Sequence, residues 1–275
     1  IIPNHRLEGA QNFFRRLHEE IQLEQKHLFI EEGNNLLQNL IKLTSLNKKK
    51  KLNIFTTVNS NKLGLIFKIL HPSVNLFMRL GNTISLEIKK NSIKYFYHKL
   101  FYFISIRKCS KFIFQSKVMK NDFLNFFEFK NNQKFLVIHN GIPGSIKIEK
   151  SKYSIQNNKV NYLLVGTFKK QKGYDIFLDS LENLSNNIKN SVHFHVCGSG
   201  NDFRNFKKEL VLKKLDSIVS LYGHVSPNFF YSKCDVYILP SRFEGFSNSL
   251  VEALSFGMPA IVSDCPSANR EVIVE

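Results

Sequence analysis

The run from Asp235 to Ser263 limits what this chain can fold into more than any other stretch. Asp235 to Leu239 reads as a buried strand that stops at Pro240 and enters an Arg/Glu/Gly loop. After Ser247 the apolar spacing turns helical, with Leu250, Val251, Leu254 and Phe256 placed to face a core. Gly257-Met258-Pro259 then leads into a second strand, Ala260 to Ser263. Strand, loop, helix, strand is one βαβ unit, and such units keep their ligand crevice at the carboxyl ends of the strands. The helix start offers backbone N–H groups and a partial positive charge, so a phosphate is expected near Ser247, Asn248 and Ser249, with Phe246 beside them. Glu244 on the loop and Glu252 a turn inside the helix frame that spot as hydroxyl acceptors.

Glu244-Gly245-Phe246 and Glu252-Ala253-Leu254 stand in an E-x7-E arrangement, followed by Gly257-Met258-Pro259, Asp264-Cys265-Pro266 and Arg270-Glu271-Val272-Ile273. The whole run resembles the signature of retaining glycosyltransferases of family 4. The resemblance implies an α/β chain of the GT-B fold, with two Rossmann-like parallel-sheet domains facing across a cleft. It implies an N-terminal acceptor domain over residues 1–148 and a C-terminal nucleotide-sugar domain over 149–275, joined by the polar, lysine-rich stretch 144–159. The first strand is expected to be missing or reduced to Ile1-Ile2, and the chain, which begins at Ile1, to be a fragment lacking the family's last elements.

The same resemblance assigns roles. Glu244 would contact hydroxyls of the donor sugar, Glu252 those of the ribose, and Lys172 would clamp the diphosphate. Gly166 and Thr167 close the strand Val160 to Val165, with Thr167 where the family usually has Arg. Gly198-Ser199-Gly200 matches the glycine loop beside the nucleotide, and Tyr222-Gly223-His224 would lie near the base. On the acceptor side the resemblance points to Gly9, in a loop where Glu8-Gly9 replaces a glycine pair, and to Arg79 and Asn82, with Gly81 where many relatives carry histidine. Arg79 reads equally well as a salt-bridged structural residue, and Lys172 taken alone as a surface lysine. There is no D-x-D motif; helix dipole and lysine can replace a divalent ion, so neither metal nor cofactor is expected.

The remaining chain alternates strands and helices, which predicts parallel sheets covered on both faces. Helices are expected over Gln11 to Lys26 and Asn34 to Leu46, and one long helix over Ser85 to Lys108. In that helix Ile93, Phe96, Tyr97, Leu100, Phe103 and Ile104 recur at core spacing. Tyr95, Phe101 and Tyr102 fall off the stripe, among lysines; each taken singly reads first as a core residue, while together with the net charge they suit an anionic bilayer surface. A net charge of +17 fits an anionic partner, and equally a compositional bias toward Lys, Asn, Ile and Phe. No nucleic-acid module is recognisable. No segment reaches transmembrane length. Four scattered cysteines read as reduced thiols. The expected partners are a nucleotide-sugar, with UDP ahead of GDP, a lipid-linked or cell-envelope glycan, and an anionic membrane at the cytoplasmic face. The other reading is a non-catalytic GT-B-like binding module.

Overall fold

The computed structural model describes residues 2–3, 31–32, 52–141, 153–155, 158–266 and 268–273. The expected helices over 11–26 and 34–46 lie outside the described residues, as does Gly9. The chain divides into two compact units, Ile1–Gly141 and Ile142–Glu275. Most of the linker expected over 144–159 also falls outside the described residues.

In the first unit, β1 (Ile2–Pro3) pairs in parallel with β2 (Glu31–Glu32) as a separate two-stranded sheet. The main sheet runs β3 (Asn53–Thr56), β4 (Asn75–Arg79), β5 (Lys111–Phe114) and β6 (Phe135–Val137), all parallel and in chain order. Helices α1 (Asn61–Leu70), α2 (Ile93–Lys108) and α3 (Lys117–Phe127) connect these strands. Aromatic rings fill the core: Phe112, Phe114, Phe123 and Phe127 pack edge to face or tilted at 5.3–5.6 Å, the arrangement the ring quadrupole favours.

The segment 85–108 differs from its expectation twice. It is not one helix. A 3-10 turn, Ile84–Leu86, is followed by Asn91 at φ 60°, and α2 then starts afresh, its N-cap Ser92 accepting from the Tyr95 amide at 3.1 Å. An αL residue cannot continue a right-handed helix. The faces are also reversed. Tyr95 and Tyr102 are 2% and 5% exposed, whereas Ile93 is 91% and Leu100 60% exposed. Both faces of α2 are apolar, so periodicity alone could not orient it. The tyrosines win the core because their rings fit the phenylalanine cluster and the Tyr95 hydroxyl donates to the Phe126 carbonyl at 3.3 Å.

The second unit is a five-stranded parallel sheet in the order β11-β10-β7-β8-β9, with β7 Val160–Val165, β8 Val192–Cys197, β9 Val219–Gly223, β10 Val236–Leu239 and β11 Ala260–Val262. One face packs against α4 (Tyr174–Glu182) and α6 (Phe203–Leu212), with the short α5 (Asn186–Ser191) before β8. The other packs against α7 (Asn228–Tyr231) and α8 (Asn248–Ser255). A last turn, α9, spans Asn269–Val272. Strand β7 coincides with the range read from the sequence.

Strand β8 is buried along its whole length despite two histidines. His195 Nε2 lies 2.9 Å from Asn161 Oδ1 and Nδ1 lies 2.8 Å from the Tyr222 hydroxyl. An amide oxygen can only accept, so the neutral Nε2–H tautomer satisfies both contacts. Burial, reinforced by neighbouring His193, holds the His195 pKa down at about 4. The fold therefore keeps the neutral form. Stability present above the ordinary histidine pKa is lost as pH falls from about 6.5 through about 4, up to roughly 3 kcal/mol. Thermal midpoints measured across that window should drop, and His195→Gln should flatten the slope. An unchanged slope in the variant would remove His195 as the cause.

Candidate active site at the switch point of the second sheet

In the order β11-β10-β7-β8-β9 the chain reverses direction across the sheet between β7 and β10. Loops leaving the carboxyl ends of two such strands diverge to opposite sides and open a crevice. The two loops here are Gly166–Gly173 after β7 and Pro240–Ser247 after β10, and between them they carry Gly166, Thr167, Lys172, Glu244, Phe246 and Ser247.

Backbone and side chains stitch the loops together. The Arg242 amide donates to the Gln171 carbonyl at 2.8 Å, and the Gln171 side chain donates to the Phe243 carbonyl at 3.0 Å. Arg242 makes a bidentate pair with Asp175 at 2.6 and 2.7 Å, which holds the Asp175 carboxyl below its ordinary pKa. At the centre, Lys172 Nζ donates to Glu244 Oε1 at 2.6 Å, and the Ser241 hydroxyl donates to the same oxygen at 2.6 Å. Both side chains are largely buried, at 15% and 7% exposure. Lys172 is thus not a surface lysine. It is a cation fixed at the crevice by the carboxylate it neutralises.

Two glycines let the loops approach this closely. Gly173 sits at φ 68°, and a Cβ there would lie 2.0 Å from the Pro240 carbonyl oxygen. A Cβ on Gly198 would lie 1.9 Å from the Gly166 carbonyl oxygen. The glycine turn after β8 is bound to the loop after β7 by the Phe168 amide donating to the Ser199 carbonyl at 2.9 Å, with Gly198 against Gly166 and Gly200 against Phe168.

Helix α8 begins at this crevice. Its N-cap, Ser247, makes no side-chain cap bond, and its hydroxyl lies 3.3 Å from that of Ser249. Two buried tyrosines that the motif reading passed over support this helix start. The Tyr237 hydroxyl donates to Ser249 Oγ at 2.7 Å, and the Tyr231 hydroxyl reaches the Ser249 carbonyl at 3.2 Å and Glu252 Oε2 at 3.3 Å. Burial raises both phenols well above their ordinary pKa, so they stay neutral donors. One signal was available: a buried tyrosine needs a partner for its hydroxyl, and Tyr237 lies in the strand leading to the loop. Glu252 is half-buried one turn into α8. Phe246 and Asn248 are half-buried at the helix start.

The residues expected on the acceptor side, Arg79 and Asn82, belong to the first unit. Arg79, at the end of β4, is buried; its Nη2 donates to Asn140 Oδ1 at 2.6 Å, and burial lowers its pKa to about 10. Asn140 in turn donates to Gln115 Oε1 at 3.1 Å, and Gln115 to the Leu80 carbonyl at 2.8 Å. Asn82 donates to Glu87 Oε1 at 2.6 Å. Among the described residues no three His, Cys, Asp or Glu side chains gather as a metal ion would need, and no helix is long and apolar enough to cross a membrane.

Residues 145–275 match the family model described as Glycosyl transferases group 1, which supports a glycosyltransferase domain over that half of the chain. The O-antigen biosynthesis glycosyltransferase WclY of Escherichia coli is 27% identical over 174 residues; the match covers 58% of this chain and 46% of that protein. An uncharacterized 41.2 kDa protein in the cps region of Klebsiella pneumoniae is 29% identical over 90% of this chain and 71% of its own length. The chain therefore spans about half of the first relative. Among solved structures, the lipopolysaccharide outer core galactosyltransferase WaaB superposes with a TM-score of 0.62 at 20% identity, over 90% of this chain and 68% of that one. At that identity the likeness is one of fold, and it agrees with the expected α/β architecture of GT-B glycosyltransferases.

Proposed function

We propose that this chain is a retaining glycosyltransferase of the family 4 type, moving a sugar from a nucleotide-sugar, UDP-linked in the first instance, onto a lipid-linked or cell-envelope polysaccharide. The observation that carries the proposal is the buried Lys172–Glu244 pair at the switch-point crevice, beside the start of the helix that bears Glu252. WclY, by its name, serves O-antigen synthesis, which favours an envelope glycan as acceptor.

Sugar transfer leaves negative charge on the departing diphosphate. Fixed N–H dipoles and a positioned cation stabilise such charge without reorganising during the reaction. The amides at the start of α8 and the ammonium of Lys172 take that role, with Gly166, Thr167, Gly198 and Gly200 giving the diphosphate close backbone approach. Glu252 accepts from the ribose hydroxyls and Glu244 from those of the sugar. The leaving phosphate assists attack on the face it leaves, which retains configuration. The reaction needs no divalent ion, so EDTA leaves the rate unchanged. Arg79, Asn82 and Gly9 serve the acceptor, and transfer takes place at the cytoplasmic face of the membrane.

A second reading, a GT-B-like binding module without turnover, draws support from Thr167 in place of arginine and from the engagement of Glu244 Oε1 by Lys172 and Ser241. Thermal shift with UDP and with GDP, alongside Glu252→Gln, tests the donor site. A ligand at about 100 times its Kd adds roughly 2.7 kcal/mol of stability. A shift with UDP that Glu252→Gln abolishes supports the donor assignment, and UDP release from UDP-sugars then separates enzyme from binder. A shift with GDP alone changes the donor class. No shift with either, in a cooperatively melting protein, overturns the proposal.

A further inference from the structure

A helix that is apolar all round is ordinarily buried all round. Helix α2 is not. Tyr95 and Tyr102 enter the core, while Ile93, Phe96, Tyr97, Leu100 and Phe103 form a second apolar stripe, each at least 44% exposed. Helix α1 packs beside α2 and turns Ile66, Ile69 and Leu70 outward as well. Single exposed apolar residues are commonplace; two neighbouring helices that each turn several apolar side chains outward mark an interaction surface.

Charge identifies the partner. Neither α1 nor α2 contains a carboxylate, while between them they carry Lys62, Lys68, Lys94, Lys99, Arg107 and Lys108. Glu128 pairs with Lys99 and Lys90 at 3.2 and 3.4 Å on the flank, and Lys94 and Lys108 are exposed. Basic groups sit on the apolar rings themselves. Lys62 Nζ is 5.2 Å from the Tyr97 ring centre, and the Arg107 guanidinium is 3.3 Å from that of Phe103. Long basic side chains over an apolar face keep their charges at a headgroup layer while their stems and the neighbouring rings enter the acyl boundary. A symmetric dimer through this face would set cations against cations.

We propose that the outer faces of α1 and α2 dock this protein on an anionic bilayer. The inference stands on burial and charge and does not depend on turnover; it adds to the proposed function a means of meeting a lipid-linked acceptor. It also replaces Tyr95 and Tyr102, which the sequence offered to the membrane, with the residues on the opposite side of α2.

The test is cosedimentation with vesicles of phosphatidylcholine alone and of phosphatidylcholine mixed with phosphatidylglycerol. The protein should bind the anionic vesicles and be released by salt. Phe96→Gln combined with Leu100→Gln should weaken binding about tenfold or more, and Lys94→Gln combined with Lys108→Gln about fivefold for each charge removed. All four positions are exposed, so circular dichroism and melting should match the wild type. Wild-type affinity in the apolar variant, or equal binding to neutral and anionic vesicles, overturns the proposal. So does a dimer seen by light scattering that the apolar variant breaks in a protein that ignores vesicles, since the face would then belong to a second copy. Loss of the UDP shift with vesicle binding intact would sink the donor assignment and leave this inference standing.

Discussion

Lys172→Met is expected to lower the stability of the second unit by about 3 kcal/mol and to abolish any nucleotide-induced stabilisation. Removing one member of a buried ion pair leaves the other charge with its desolvation cost and little of its compensation, typically about 3–5 kcal/mol. The lower end applies because the Ser241 hydroxyl still donates to Glu244 Oε1 at 2.6 Å. In a domain of this size that corresponds to a fall in thermal midpoint of roughly 10 °C. Glu244→Gln in the same background removes the stranded charge, so the double variant should be more stable than Lys172→Met alone. The nucleotide shift should stay absent in the double variant, because the cation that holds the diphosphate is gone. A Lys172→Met midpoint close to wild type would show that the pair does not tie the loops together in solution. Recovery of stability without recovery of binding is the signature that separates a site cation from a purely structural one.

How much of this was legible beforehand depended on whether one face or two carried the signal. Strand β7 was readable to the residue because a mostly apolar run of strand length, bounded by polar turns, favours a buried strand. The βαβ unit from Asp235 was readable because Pro240, Ser247 and Gly257 punctuate it. Helix α2 was misread for the opposite reason. It has two apolar faces, and the choice between them rests on how tyrosine rings meet phenylalanines from other elements, information that no window along the chain contains. The restart at Ser92 hinges on Asn91 adopting φ 60°, a conformation that asparagine tolerates but does not announce.

The site divides in the same way. Glu244, Glu252 and the glycine turns were singled out through the resemblance of their surroundings to a family signature, since the spacing alone is common on ordinary helices and turns. The contacts that hold them were not. Tyr231 and Asp175 reach the crevice from α7 and α4 and Tyr237 from β10, while Gln171 and Ser241 lie on its two loops. Their partners stand up to 72 positions away, as in Lys172 with Glu244. A motif records what must touch a ligand; the residues that position those groups vary with the packing behind them.

Gly198→Ala carries the other large expected effect, because the atom it adds has nowhere to go. Its Cβ would lie 1.9 Å from the Gly166 carbonyl oxygen and 2.9 Å from the Gly166 carbonyl carbon. Neither backbone can yield cheaply. The Gly166 amide donates to the Cys197 carbonyl at 3.0 Å, the Tyr174 hydroxyl donates to the Gly166 carbonyl at 3.0 Å, and the Gly198 amide donates to the Gly223 carbonyl at 2.7 Å. Relieving the clash means breaking at least one of these bonds and shifting the ends of β7 and β8, at a cost of roughly 3–5 kcal/mol for overpacking and backbone strain together. Gly223→Ala is the matched control. That glycine has φ 69° with nothing within 4 Å of an added Cβ, so only the left-handed penalty of about 1–2 kcal/mol applies. Chemical denaturation of both variants should therefore show Gly198→Ala well below Gly223→Ala. Equal losses would mean that backbone conformation alone explains the glycine after β8. The reading of that turn as a close-approach wall of the crevice would then fail, and with it the assignment of Gly198 and Gly200 to the diphosphate.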